Sequence, residues 1–162
     1  MTIINMFHYG VLVHDLDAAI DRFGEVHGFT FNPPTPILLR RMVYLGKESP
    51  LSFRATYSKQ GPPYIELIEA SGDGFYRAEQ GEGPHHLAFW DPDLAMNRTQ
   101  YLEHKNLQLE AEILTPEGEP FAWYSTPASA HGTRFEFIDE SARPDIEEWI
   151  RTGISAGGDF VV

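Results

Sequence analysis

"HYGVLVHDLDAAIDRFGEVHGFTF" (8–31) and "HLAFWDPDLAMNRTQYLEHKNLQL" (86–109) align without a gap. His8 falls on His86, Asp15-Leu16 on Asp93-Leu94, Phe23 on Tyr101, Glu25 on Glu103 and Gly28 on Asn106. Self-similarity of this length marks two copies of one supersecondary unit. Each copy reads as strand, helix, strand. Asp15 and Asp93 suit helix N-caps, because a short side-chain oxygen accepts a free N–H of the first turn. Leu16, Ala19, Ile20 and Phe23 recur at helical spacing, and Gly28 and Asn106 suit a left-handed C-cap. "FTF" (29–31) and "LQL" (107–109) then begin the next strands.

The copies also end alike. "YIELI" (64–68) falls on "RFEFI" (134–138), which sets Glu66 opposite Glu136. The offset there is eight residues shorter, and a longer loop around "NPPTP" (32–36) would absorb it. Strand-like runs at 37–45, 51–58, 109–114 and 119–125 fill the space between. The fold class is therefore α+β, with two paired βαβββ modules. One domain is expected over 1–140, with modules at 1–72 and 80–140 and a linker at 73–79. A helix, "RPDIEEWIRTG", follows from 141, with Pro144 in its first turn. The tail "SAGGDFVV", ending at 162, is expected to be loose or docked on a partner.

Strand alternation assigns the faces. In "FHYGVLV", Phe7, Tyr9, Val11 and Val13 form one apolar face toward the helix, so His8 points the other way. In the equivalent strand Leu87 and Phe89 take the helix side, while His86, Ala88 and Trp90 lie opposite. His85 belongs with the helix side and would act on His86 or a substrate only from outside the ligand set. The same parity puts Glu66 and Glu136 on inner faces. If the sheets curl around one cavity, His8, Glu66, His86 and Glu136 converge there. Two imidazoles and two carboxylates suit one divalent cation: Zn²⁺, Fe²⁺, Mn²⁺, Co²⁺ or Ni²⁺. His14, His27, His104 and His131 sit at helix ends or in loops and read as ordinary surface.

Composition narrows the partners. Twelve Lys+Arg against 24 Asp+Glu give a net charge of -12. Such a surface repels phosphate backbones and anionic membranes, so neither nucleic acid nor membrane is an expected partner. There are no cysteines, which removes disulfides, thiolate metal sites and a cysteine nucleophile, and fits a cytoplasmic location. The first residues, "MTIINMFHYGVLV", carry no basic segment or cleavage site and read as a strand, not a signal peptide.

These residues resemble the vicinal oxygen chelate superfamily, the glyoxalase, bleomycin-resistance and extradiol-dioxygenase group. Within it, "YIELIEASGDGFYRAEQGEGPHHLAF" and "STPASAHGTRFEFID" are similar to runs of the methylmalonyl-CoA epimerase family. The resemblance covers about 1–140. It implies a barrel-like curved sheet around a metal cleft, His8, Glu66, His86 and Glu136 as ligands, and a homodimer. The implied activity is that of a metal-dependent isomerase, epimerase or lyase. Glu136, with Glu66 on the opposite face, would move a proton next to a carbonyl through a metal-stabilised enolate. Trp90, Trp123 and Tyr124, near Phe121, are read as an aromatic substrate wall, and Arg134 as a partner for a substrate carboxylate. The substrate would be a small carbonyl compound, aromatic or an acyl thioester, although no set of basic residues for coenzyme A phosphates is evident. The alternatives are an Fe(II) extradiol-type dioxygenase, a natural-product cyclase or rearrangement enzyme, and a non-catalytic binding protein of the same fold.

Overall fold

The computed structural model describes residues 5–154 and 160–162. The first half runs β1 (Met6–Val13), α1 (Leu16–His27), β2 (Thr35–Tyr44), β3 (Lys47–Tyr57) and β4 (Tyr64–Glu69). The second runs β5 (Gly83–Asp91), α2 (Leu94–His104), β6 (Leu109–Leu114), β7 (Pro120–Ser125) and β8 (Phe135–Asp139). α3 (Arg143–Thr152) and a short β9 (Phe160–Val161) follow. The βαβββ pattern is present twice, as the repeat requires.

Both repeat helices start and stop where their caps dictate. Asp15 accepts the Ala18 N–H at 2.9 Å, and Asp93 accepts that of Met96 at 3.4 Å. Gly28 ends α1 at φ 72°, and Asn106, just past α2, takes φ 57°. On the inner side of α1, Leu16, Ala19, Ile20 and Phe23 pack on Val11, Val13, Ile65 and Leu67. On α2, Leu94, Tyr101 and Leu102 pack on Phe89, Trp123, Phe135 and Phe137. Each large apolar side chain so buried stabilises the fold by roughly 1.5–3 kcal/mol before entropy is counted.

The strands lie in the order β3-β4-β1-β5-β8-β7-β6-β2, and β2 pairs back onto β3, closing eight strands into a mixed barrel. The halves meet at two seams. One is the antiparallel β1–β5 pair, centred on Tyr9 and Leu87. The other is β2–β6, where Met42, Val43 and Tyr44 pair with Ile113, Glu112 and Ala111. A strand has only two edges, so β9 shares the β6 edge of β2, pairing Phe160 and Val161 with Ile37 and Leu38. Phe160 and Val161 are thus docked on the chain's own sheet. Residues 155–159 of that segment lie outside the described residues.

Two expectations of detail need correction. "FTF" makes only an isolated bridge, Phe31 to Ser58, and β2 begins at Thr35 once Pro33 and Pro34 have passed. The extra length of the first half lies mainly in strand: β2 and β3 run 10 and 11 residues, against 6 each in β6 and β7.

The alternation argument also fails at two places, for one reason. Met6 pairs with Phe89 and His8 with Ala88, leaving Phe7 as an extra residue. Gly10 pairs with His86 and Val11 with Pro84, leaving His85 as another. Each is a β-bulge, which lets neighbouring side chains turn to the same side. Phe7 and His85 are also equivalent in the repeat, so the bulge is itself duplicated. Phe7 therefore packs inward, against Trp90 at 4.2 Å and Tyr57 at 5.7 Å between ring centres. His85 likewise turns inward, onto Phe75 and Tyr76.

Candidate metal centre

The parallel pairs β1–β4 and β5–β8 fix the four polar residues. Gly10 lies beside Glu66 and Ala88 beside Glu136, so each half sets a glutamate next to its histidine strand. His8, Glu66, His86 and Glu136 are all buried. Their side-chain ends converge. His8 Nε2 lies 2.8 Å from His86 Nε2, 3.1 Å from Glu66 Oε2 and 3.2 Å from Glu136 Oε2. His86 Nε2 lies 3.4 Å from Glu66 Oε2 and 3.1 Å from Glu136 Oε2. The small residues on the seam make this approach feasible. A Cβ on Gly10 would come within 2.2 Å of His86 Cε1.

The electrostatics suit a cation. Burial opposes charge on His8, but Glu66 and Glu136 outweigh it and raise its pKa to about 9. Burial opposes charge on both glutamates too, yet the imidazoles pull them well below the usual carboxylate range. His86 is raised by the same carboxylates against its own burial. Two Nε2 atoms facing each other share at most one proton between them. Glu136 Oε2 meets both Nε2 atoms. The donor set of nitrogen and carboxylate oxygen, dry and doubly anionic, fits a divalent ion in chemistry and spacing.

Around these four stand Tyr57 and Tyr76, which the sequence reading missed, and Tyr124, which it assigned to a substrate wall. Tyr57 faces Glu66 across β3–β4, and Tyr124 faces Glu136 across β7–β8. The Tyr124 hydroxyl donates to Glu136 Oε1 at 2.5 Å and lies 3.1 Å from the Tyr76 hydroxyl. Burial first, then the two carboxylates, push Tyr57 and Tyr76 well above the usual phenol range. Burial and Glu136 do the same to Tyr124. A sequence signal for the pair exists: "ATYS" (55–58) and "AWYS" (122–125) are a third repeat anchor. Its serines are equivalent as well. Ser58 Oγ accepts the Ile65 N–H at 2.9 Å and Ser125 Oγ that of Phe135 at 3.0 Å, just before each glutamate.

His85 touches the centre through His86, with Nδ1 atoms 3.0 Å apart. Burial, then His86 and Arg134, lower its pKa to about 2, so it is neutral and able to accept from His86. Its equivalent, Phe7, can only pack edge-on against His8, at 4.5 Å, and His8 Nδ1 has no partner.

The expected substrate wall is only partly where alternation put it. Tyr124 and Phe121 line a small cavity beside Glu66 and Glu136. Trp123, next to Tyr124 on a strand, points the opposite way and stacks on Phe137 at 4.5 Å under α2. Trp90 is inward but covered by the bulged Phe7. Arg134 is committed elsewhere: Nε and Nη2 donate to Glu110 at 2.8 and 2.9 Å, and Nη1 to the His85 carbonyl at 3.1 Å. Its buried guanidinium does not line the cavity beside the glutamates; it lines a separate one with His85 and His86. His14, His27, His104 and His131 are exposed, as expected. Among the described residues no helix is long and apolar enough to cross a membrane.

Paired βαβββ modules closed around a buried His–Glu cluster define the glyoxalase-like class of proteins. Residues 7–137 match the model of the Glyoxalase/Bleomycin resistance protein/Dioxygenase superfamily, and the chain belongs to that family. No curated protein matches the chain. Among solved structures, a methylmalonyl-CoA epimerase variant of Streptomyces coelicolor, in complex with 2-nitronate-propionyl-CoA, is 18% identical with a TM-score of 0.58. That match covers 85% of this chain and 98% of the other. The methylmalonyl-CoA epimerase of Mycobacterium tuberculosis is 19% identical, covering 83% and 86%, with a TM-score of 0.54. A hypothetical protein of Bacillus halodurans is 21% identical, covering 85% and 95%, with a TM-score of 0.58. At these identities the similarity is one of fold.

Proposed function

We propose that the chain is a divalent-metal-dependent enzyme that moves a proton on the carbon next to a carbonyl group, as an isomerase or epimerase. The observation that carries this reading is the convergence of two imidazoles and two carboxylates, one pair from each half, within 3.4 Å contacts. His8, Glu66, His86 and Glu136 would hold the ion, which supplies a Lewis acid for the carbonyl oxygen. The epimerases of similar fold support the choice of reaction over the lyase alternative.

Glu136 is the base in this scheme. Tyr124 anchors its Oε1, while Oε2, which meets only the two imidazoles, would hold the ion and, on detaching, take the α-proton. The electron pair of the broken C–H bond moves onto the carbonyl oxygen. Glu66, from the other half, would return a proton to the opposite face; the imidazoles hold it ionised in the unloaded site, so it must first take that proton from solvent, and each turn ends with Glu66 ionised and Glu136 protonated. Acid–base assistance of this kind is worth about 10²–10⁴ in rate. The buried apolar wall excludes water from the carbanion-like species.

One observation favours a second reading. His8, His86 and Glu136 offer donor atoms all within 4.8 Å of one another, a set that does not include Glu66. Two histidines and one carboxylate are the ligands of non-haem Fe(II) oxygenases. The contacts of Glu66 to both imidazoles weigh more, because they put a second carboxylate on the same two nitrogens.

Metal analysis of protein purified without chelators, followed by solvent-deuterium exchange into α-carbonyl compounds, tests the proposal. Glu136→Gln should retain some metal and lose exchange. Undiminished exchange discards Glu136 as base, and oxygen uptake with a catechol and Fe²⁺ would favour the oxygenase.

A further inference from the structure

The cavity beside Glu66 and Glu136 is small, about 50 Å³. Its walls include Ile37, Phe53, Ile113, Ile138, Ile146 and Trp149, and none of the described residues lining it is Lys or Arg. Two of these walls, Ile146 and Trp149, come from α3, which lies beyond the residues 7–137 matched by the family.

α3 is built to stay there. Ile146, Trp149 and Ile150 form its buried face, and the Trp149 ring meets Tyr57 edge-on at 5.3 Å. The Asn32 amide donates to the Ile150 carbonyl at 2.6 Å, tying the last turn to the loop before β2. Gly153 then ends the helix at φ 75°. The β2–β6 seam closes the barrel wall on the same side as Ile37 and Ile113.

A coenzyme A thioester makes two demands on a site. It needs a channel for its long arm and cations for its diphosphate. This cavity offers an apolar wall from α3 and two carboxylates, in a chain of net charge -12. A short apolar body is what its walls solvate well.

We propose that the substrate is a small, uncharged carbonyl compound whose short apolar body packs into the barrel against α3, and that Trp149 sets its size limit. This inference rests on the proton-transfer reading above.

The experiment uses the metal-loaded full chain and three probes: 3-methyl-2-butanone, phenylacetone and propionyl-CoA. Binding is followed by saturation-transfer NMR and turnover by deuterium entry at the α-carbon. Wild type should bind and exchange 3-methyl-2-butanone at least about tenfold better than the other two, a discrimination within reach of pocket shape. Trp149→Leu should admit phenylacetone with a gain of about tenfold or more, and Trp149→Phe, which keeps more of the packing, should give a smaller gain in the same direction. Propionyl-CoA handled as well as the small ketone would overturn the proposal, as would absence of small-ketone binding, or no change in phenylacetone use in either folded variant. Selective binding without exchange of any probe would sink the proton-transfer reading and leave the size limit standing.

Discussion

His86 lies flat across Gly10, with its Cε1 only 2.2 Å from where a Cβ would be. The strand pair β1–β5 therefore has room for the imidazole only because residue 10 has no side chain. Gly10→Ala should displace His86 and weaken metal binding by about 10–100-fold, the range seen when a ligand loses its support. Metal content and affinity, measured with circular dichroism to verify the fold, decide this. Full metal retention in a folded variant would show that His86 is not held there.

His85 supports the other side of the same ring. His85→Phe copies the arrangement of Phe7 beside His8 and removes the 3.0 Å Nδ1 contact. We expect metal affinity to fall by about 10–100-fold, with His85→Asn recovering part of it because its amide oxygen can accept the same proton. Equal losses in the two variants would assign His85 to packing alone.

Metal uptake should depend on pH in one direction. Against its own burial, His8 is held by Glu66 and Glu136 at a pKa of about 9, so without metal it carries a proton at neutral pH. A ligand imidazole must be neutral, and binding must expel that proton. Affinity should therefore rise from about pH 6 to about pH 8, by up to about tenfold per unit. A chelator-competition titration giving a flat profile would contradict this. By the same linkage, chelation should lower the melting temperature.

Tyr124→Phe removes the hydroxyl that donates to Glu136 Oε1. Hydrogen bonds to charged groups are worth about 1.5–3 kcal/mol, and this one stabilises the ionised carboxylate. Its loss should raise the pKa of Glu136 and move the acid limb of the exchange rate upward in pH. A pH–rate profile unchanged from wild type would remove Tyr124 from the machinery.

Arg134 should behave as a structural residue. Arg134→Met strands the part-buried Glu110 carboxylate; about 3–5 kcal/mol, the cost of breaking a fully buried pair, is the upper bound. The melting temperature should drop while KM in the folded fraction stays near wild type. A selective rise in KM would instead assign it a role toward substrate.

Much of this fold was legible because duplication wrote it twice. The His8/His86 and Glu66/Glu136 anchors specified the βαβββ halves, and the Asp15 and Asp93 caps marked both helices. What escaped was local. Alternation assumes an unbroken pleat, and the bulges at Phe7 and His85 each reverse one residue, which misplaced both side chains. Trp123 and Tyr124 were grouped by composition although neighbours on a strand must part. Tyr57 was missed because its anchor, "ATYS", matches "AWYS" at an offset different from the other two. Arg134 shares a parity with Glu136, but pattern alone could not show that Glu110 on another strand holds it.

The β2 edge at Ile37 and Leu38 is met by the strand at Phe160 and Val161, far along the sequence. During synthesis that edge therefore waits until Val161 has left the ribosome. The nascent barrel is unzipped along part of one side throughout that interval, and removing Phe160 and Val161 would make the condition permanent.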